Sequence, residues 1–376
     1  MTASPVYFTD MRCPVGTSLQ DKLDRLMRRA GIEKIDFDKK FVAIKLHFGE
    51  PGNLSFLRPN FAKTVADRVK ALGGRPFLTD CNTLYVGRRN NALVHLDAAY
   101  ENGYFPLSTG CQIIIGDGLK GTDDVDVPVS GGVHLQSAKI GRAIMDADIF
   151  ISLTHFKGHE LTGFGGAIKN IGMGCGSRAG KMVMHSDGKP TVDQEKCVGC
   201  RTCAKYCDAS AISFGENKKA HIDHNNCVGC GRCIGTCIAD AIFTEIDSSN
   251  EMVNVKMVEY TKAVLDGRPH FHIAIVNQVS PCCDCHSEND AAIIPDIGMF
   301  ASFDPVALDM ACIDAVNAAP MIEGSALSDH GQNSQDHFSV IHHGTDWRSQ
   351  ISHAEKIGLG TRQYERIAVG IHKPNP

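Results

Sequence analysis

The sequence predicts an α/β protein: a largely parallel sheet with helices on both faces, into which a small α+β domain built around cysteines is inserted. Three observations predict it. Short apolar runs of strand length alternate with helix-length amphipathic segments along residues 1–190. The same alternation resumes over residues 247–376. Between them, residues 191–246 carry one cysteine spacing twice over. The α/β domain is therefore read as discontinuous, its two parts flanking the insertion.

Each element has its own signal. Residues 41–48 are an apolar run stopped by Gly49, a buried strand. Residues 61–72 have apolar side chains at helical spacing and end at Gly73-Gly74. Residues 75–80 form the next strand, 91–102 a helix closed by Gly103, and 112–116 another buried strand. The pattern predicts a helix over 139–147 and a strand over 148–153. After the insertion come a helix at 254–265, a strand at 271–276, a helix at 303–316 and a helix at 350–357. Strands alternating with helices imply a parallel sheet covered on both sides.

The bulk numbers narrow the function. A chain of 376 residues and 40.7 kDa exceeds one ordinary core and fits two or three domains. Hydrophobic residues at 43% and charged residues at 22% describe a globular protein. A net charge of −5 with no basic stripe argues against nucleic acid as a partner. No apolar run approaches the ~20 residues of a membrane span, and the N-terminal stretch lacks the pattern of a secretory signal. A cytoplasmic location is the expectation. Sixteen cysteines in such a chain suggest metal or redox work rather than disulfides.

Cys197, Cys200, Cys203 and Cys207 follow the spacing C-x2-C-x2-C-x3-C, and Cys227, Cys230, Cys233 and Cys237 repeat it 30 residues later. That is the spacing of a bacterial-type ferredoxin with two 4Fe-4S clusters. Three thiolates on a tight loop reach three iron corners of one cube, and the fourth turns toward the other. Cys197, Cys200, Cys203 and Cys237 are accordingly assigned to one cluster, and Cys227, Cys230, Cys233 and Cys207 to the second. Two zinc sites could also use eight thiolates, but the doubled x2, x2, x3 spacing suits a cube better than a tetrahedron. Strands are expected at 211–214 and 241–244, with 220–223 pairing the first. The glycine before the second cysteine of each run is read as leaving room for backbone N–H groups near sulfur. Asp208 and Ile238 stand where ferredoxins usually place proline, which bears on helix geometry and potential rather than on ligation.

Ligands of open parallel sheets bind beyond the carboxyl ends of the strands, and there this chain collects polar residues. His47 and Glu50 follow the first strand, and Asp80 ends the second. The run His155-Phe156-Lys157-Gly158-His159 follows another, then glycine-rich residues 163–176 with Lys169, and finally Pro281-Cys282-Cys283-Asp284-Cys285-His286. His155 and His159 are candidate metal ligands, acid–base groups with Lys157, or histidines satisfied by nearby backbone. The glycine-rich run could cradle a phosphate or carboxylate on its N–H groups, or simply pass close to the clusters. Cys282, Cys283 and Cys285, with Cys175, could hold a third cluster or a mononuclear metal, or act as redox thiols. Cys13, Cys111 and Cys312 are read as core packing.

Several of these runs carry a resemblance. Lys45-Leu46-His47-Phe48-Gly49-Glu50, Thr79-Asp80-Cys81-Asn82-Thr83-Leu84-Tyr85, residues 155–159, Lys169-Asn170-Ile171-Gly172-Met173-Gly174, Cys283-Asp284-Cys285 and Asp304-Pro305-Val306-Ala307 are similar to those of iron–sulfur proteins of the domain-of-unknown-function-362 type. The resemblance covers nearly the whole chain. It implies the α/β fold with an inserted ferredoxin pair and a cytoplasmic, anaerobe-type setting, and it hands over no reaction. Cys282 is either a ligand or a bystander.

The expectation is thus an iron–sulfur oxidoreductase. Electrons would pass through two 4Fe-4S clusters to or from a site in the α/β domain. His47, Asp80, His155, Lys157, His159 and Lys169 would contact substrate or move protons, and Cys283 and Cys285, with Cys282 and Cys175, would hold the extra metal. Burial beside anionic clusters should raise histidine pKa values there. The partners implied are a redox partner protein, a small-molecule substrate and a second copy of the chain as a homodimer. The rival readings are a non-catalytic electron carrier or adaptor docking on a larger enzyme, and a scaffold delivering metal. An enzyme should bring the Cys283 loop and the His155 loop face to face.

Overall fold

Alternate residues of the central strands enter two different apolar cores. In the strand at 149–155, Ile149, Ile151 and Leu153 pack into one core and Phe150 into the other. In the strand at 270–276, Phe271, Ile273 and Ile275 go one way and Ala274 and Val276 the other. Period-two alternation of this kind requires a sheet with a covered face on each side.

The computed structural model describes all residues except 1, 85–86, 186–188, 206, 208, 228–232, 234–236, 238, 240, 244–248, 331–334 and 371–376. Tyr85, Asp208, Cys230, Ile238 and Thr244 lie outside the described residues. The strands in chain order are β1 (Ser4–Asp10), β2 (Phe41–Lys45), β3 (Arg75–Asp80), β4 (Gln112–Ile115), β5 (Asp124–Pro128), β6 (Ser137–Gly141), β7 (Ile149–His155) and β8 (Lys157–His159). They continue with β9 (Gly163–Gly165), β10 (Thr191–Val192), β11 (Ile212–Phe214), β12 (Ala220–Ile222), β13 (Ile242–Phe243), β14 (His270–Val276), β15 (Gly298–Ser302) and β16 (Tyr364–Ala368).

Eight strands build the main sheet in the order β16-β1-β15-β14-β7-β2-β3-β4. β15 runs antiparallel to β1 and β14, and every other pairing is parallel. The expected largely parallel α/β sheet is therefore present. Helices Leu19–Ala30 and Pro59–Ala71 feed the core on one face. Helices Ala167–Cys175, Ser249–Leu265, Pro305–Asn317 and Arg348–Lys356 feed the core on the other. Among the described residues no helix is long and apolar enough to cross a membrane.

Some expectations need correction. Residues 139–147 are not one helix. Buried Ala138 and Ile140 alternate with Ser137 and Lys139, so the stretch pairs with β5 as strand β6 before a short helix, Arg142–Met145. Helix Leu19–Ala30 was not anticipated, although a capping box between Ser18 and Asp21 starts it and Gly31 ends it. Cys13 is exposed rather than core, because it sits in the irregular segment after β1, whereas Cys111 and Cys312 are buried.

Among the described residues, the strands of 191–243 pair only with one another. β11 and β12 pair antiparallel, as do β10 and β13, with Thr191 opposite Phe243, so the chain enters and leaves side by side. Cys203, Ala220, Ile222, Cys233 and Ile242 form a small apolar cluster separate from the two large cores.

Candidate functional site

Parallel pairing of β7 with β2 and β14 brings their carboxyl ends to one edge of the sheet. The His155 run and the Cys283 loop therefore meet there. Asp284, fully buried, is the junction. His155 Nδ1 lies 2.9 and 3.0 Å from its two carboxylate oxygens, and Lys157 Nζ lies 3.6 Å away. Burial alone would raise the Asp284 carboxyl; His155 and Lys157 overcome it and hold it below its ordinary range. The Asp284 backbone carbonyl also accepts the Glu50 N–H at 2.8 Å. His155 Nε2 lies 2.8 Å from the Asn277 carbonyl, so both ring nitrogens face acceptors and neither lone pair is offered to a metal.

The strand β8 is pressed against this loop. Gly158 N–H donates to Ser280 O at 2.9 Å, and a Cβ at position 158 would stand 2.0 Å from Pro281 O. Only glycine fits that approach. His155 ends β7 and His159 ends the short strand β8 of the following hairpin.

Around Cys283 the chemistry concentrates. Cys283 is fully buried, and Lys169 Nζ donates to its Sγ at 3.0 Å. Ligand atoms of His159, Cys283 and Cys285 all lie within 4.8 Å of one another, as do those of Glu160, Cys285 and His286. A hydrogen bond from the Cys285 thiol, then Lys169 and Lys157, hold the Cys283 thiol well below its ordinary range despite burial. The same bond, with burial, pushes Cys285 well up. The two opposite directions are the two sides of one hydrogen bond shared by the thiols. His159 Nδ1 accepts the N–H groups of Leu161 and Thr162 at 3.1 and 3.2 Å, which leaves the ring proton on Nε2.

The other candidates fall into place nearby or elsewhere. His47 Nδ1 accepts Gly49 N–H at 3.0 Å, and its Nε2 lies 2.8 Å from Arg89 Nη1. Burial first, then Arg89, pushes its pKa well down, opposite to the expected rise, because the cations around it outweigh the thiolate. Asp80 pairs with Lys45 at 3.0 Å, and Lys45 also donates to Asn170 at 2.8 Å, a buried network under the site. Cys175 is buried beside Cys81, whose thiol donates to its carbonyl at 3.5 Å, and it does not join the Cys283 group. Nor does Cys282, half-buried, whose thiol burial pushes up to about 11. The glycine-rich run offers no open anion cradle. Its helix N-terminus, Ala167 and Ile168, already donates to the Asp309 carboxylate at 2.7 and 2.9 Å.

Glu160, Asp284, His286, Arg89 and Asp309 escaped the reading as functional groups. Glu160 and His286 adjoin His159 and Cys285 in the chain, a signal that was available. Arg89 and Asp309 gave no local sign.

In the 191–243 segment, Cys197, Cys200, Cys203 and Cys237 line one cavity with Phe214 and Ile242. Burial raises the Cys203 thiol, and the other three thiols push it the same way. Cys207 and Cys227 are half-buried and Cys233 is buried. Backbone N–H groups reach sulfur in matching places: Ala211 to Cys207 at 3.3 Å, Ala241 to Cys237 at 3.2 Å, and Ala220 to Cys197 at 3.4 Å. Gly199 also answers a backbone demand. Its φ is +69°, and a Cβ there would meet Lys218 O at 2.6 Å.

The family described as Domain of unknown function (DUF362) matches residues 42–314. A thylakoid-associated protein of Synechocystis sp. is 30% identical over 125 residues, 33% of this chain and 35% of that protein. The chain therefore matches about a third of the length of that relative. Among solved structures, the lactate racemase apoprotein of Thermoanaerobacterium thermosaccharolyticum aligns with a TM-score of 0.43 at 11% identity, covering 84% of this chain and 58% of that one. A Thermotoga maritima protein aligns with a TM-score of 0.39 at 11% identity, covering 78% and 57%.

Proposed function

The chain belongs to the DUF362 family, and we propose that it is an iron–sulfur oxidoreductase in which two 4Fe-4S clusters exchange electrons with the Cys283–Cys285 site of the α/β domain. The observation that carries the reading is the convergence of Cys197, Cys200, Cys203 and Cys237 on one cavity, three from the first run and the fourth from the second. A crossed fourth ligand is the signature of a two-cluster ferredoxin, and the doubled x2, x2, x3 spacing suits a cube better than tetrahedral zinc. Cys227, Cys230, Cys233 and Cys207 would hold the second cluster. Bound there, the clusters would supply one-electron transfer at low potential.

This chain's own residues set the conditions. The N–H groups of Ala211, Ala220 and Ala241 donate to the sulfurs of Cys207, Cys197 and Cys237, and would stabilise negative charge added to clusters held there. Exposed Cys200 and the neighbouring Val198, 67% exposed, offer an edge where a redox partner protein could dock. In the α/β domain, Lys169 and Lys157 stabilise the Cys283 thiolate, and Asp284 holds the loop to β7 and β8. A cytoplasmic setting goes with the proposal.

A second reading places a mononuclear metal on His159, Cys283 and Cys285, favoured by their mutual distances. Two converging thiols fall short of the four a further cluster would take. Iron, acid-labile sulfide and other metals, measured per chain on protein purified without oxygen, test the proposal. About eight iron and eight sulfide are expected. Zinc in place of iron would overturn it, about twelve of each would put a third cluster at Cys283, and one extra equivalent of metal without sulfide would establish the second reading.

A further inference from the structure

We infer that Cys283 and Cys285 are a redox-active dithiol that closes to a disulfide and exchanges with disulfide substrates, an inference that rests on the proposed cluster pair as its electron source. The two sulfurs already lie within 4.8 Å of each other. A separation of two residues keeps their Cα atoms within roughly 7 Å, the reach of a disulfide. Asp284 between them is pinned through its side chain by His155 and Lys157 and through its carbonyl by Glu50. The loop is therefore held while the sulfurs move.

The two thiols have unequal surroundings. Cys283 is fully buried, with Lys169 Nζ at 3.0 Å from its sulfur. Cys285 is only partly buried and faces outward toward Glu160 and His286. Lysine beside one thiol and a second thiol as its hydrogen-bond donor is the environment of exchange chemistry. A metal ligand set is less suited, because His159 Nδ1 is occupied by two backbone donors and its Nε2 carries the ring proton.

The step balances. Cys285 passes its proton to Cys283 as its sulfur attacks a substrate disulfide, forming a mixed disulfide and releasing one thiolate. Cys283 then gives up that proton to the departing thiolate, and its own thiolate attacks Cys285 Sγ, expelling the second substrate thiolate and closing Cys283–Cys285. Restoring the thiolate–thiol pair would take two electrons, which the proposed cluster pair would supply one from each, and one proton from water. A pair of one-electron carriers would suit such a two-electron couple.

The test uses the full-length protein with its clusters, prepared without oxygen, and 5,5′-dithiobis(2-nitrobenzoate) as the substrate disulfide. After mild diamide oxidation, peptide mass mapping should show Cys283 and Cys285 linked, and dithionite should reopen the link. Cys283→Ser should trap a stable mixed disulfide with the aromatic thiol on Cys285, while Cys282→Ser turns over like wild type. Free Cys283 and Cys285 after oxidation would overturn the inference while leaving the clusters untouched. So would thiols shielded until a chelator removes a bound metal. Loss of the clusters from the iron count would instead sink the reading beneath it, whatever the thiols do.

Discussion

His155 and Asp284, 129 residues apart in the chain, meet through a buried contact in which one ring nitrogen addresses both carboxylate oxygens. Lys157 adds a second cation to the same carboxylate. Removing one member of such a buried set leaves the others uncompensated. Asp284→Asn is therefore expected to cost about 3 kcal/mol in denaturant unfolding. A loss under about 0.5 kcal/mol would show that the contact contributes little.

The close approach at Gly158 gives a second prediction. Gly158→Ala puts a methyl group where Pro281 O now lies, so the 281–286 loop must lift. Cys283, buried in wild type, should then be alkylated by iodoacetamide several-fold faster, with cluster absorption unchanged. Equal rates would mean the loop is positioned by something other than this contact.

The crossed ligand assignment can be read from double variants. Cys203→Ala should lose about four of the eight irons, and so should Cys207→Ala. Combining Cys203→Ala with Cys237→Ala should lose no more than either alone. Combining Cys203→Ala with Cys207→Ala should remove all the iron. An uncrossed arrangement reverses the last two results.

Asp309 supplies a pH dependence. Burial pushes its carboxyl up to about 7 in spite of two backbone N–H donors. Between its ordinary value near 4 and 7 the folded chain keeps a proton that the unfolded chain has released, so stability falls as pH rises through this window. The contribution is on the order of 1 kcal/mol per pH unit. Asp309→Asn loses one acceptor and should be less stable at low pH, but its stability should fall less steeply toward neutrality. Parallel urea-melt profiles for both proteins between about pH 5 and 7 would contradict this.

The sheet was legible because β2, β3, β7 and β14 are buried on both faces and read as apolar runs bounded by glycine or polar residues. β1, β15 and β16 were not, since β1 and β16 lie toward the edge of the sheet and carry mixed patterns. The doubled cysteine spacing was legible from the sequence alone, and Cys197, Cys200, Cys203 and Cys237 line one cavity. Asp284 and Arg89 were not legible as anchors. Arg89 pairs with Glu50 at 2.8 Å across 39 residues, and a charged side chain gives no local sign of whether its partner waits in the interior or in water. Asp309 misled for the same reason: it fills from 142 residues away a helix end that looked open in the sequence.

The pairing of Thr191 with Phe243 has a consequence for how this protein could be taken apart. Adjacent strands run about 4.8 Å apart, so a turn of a few residues could bridge the gap the segment leaves. Among the described residues no strand of the main sheet lies within it, which makes it a bud on a stem rather than a link in the chain of layers. A shortened protein lacking residues 191–243 is expected to melt as a single unit with its sheet intact. The proposed electron wiring would then be detachable hardware, gained or shed by one splice without refolding the α/β body.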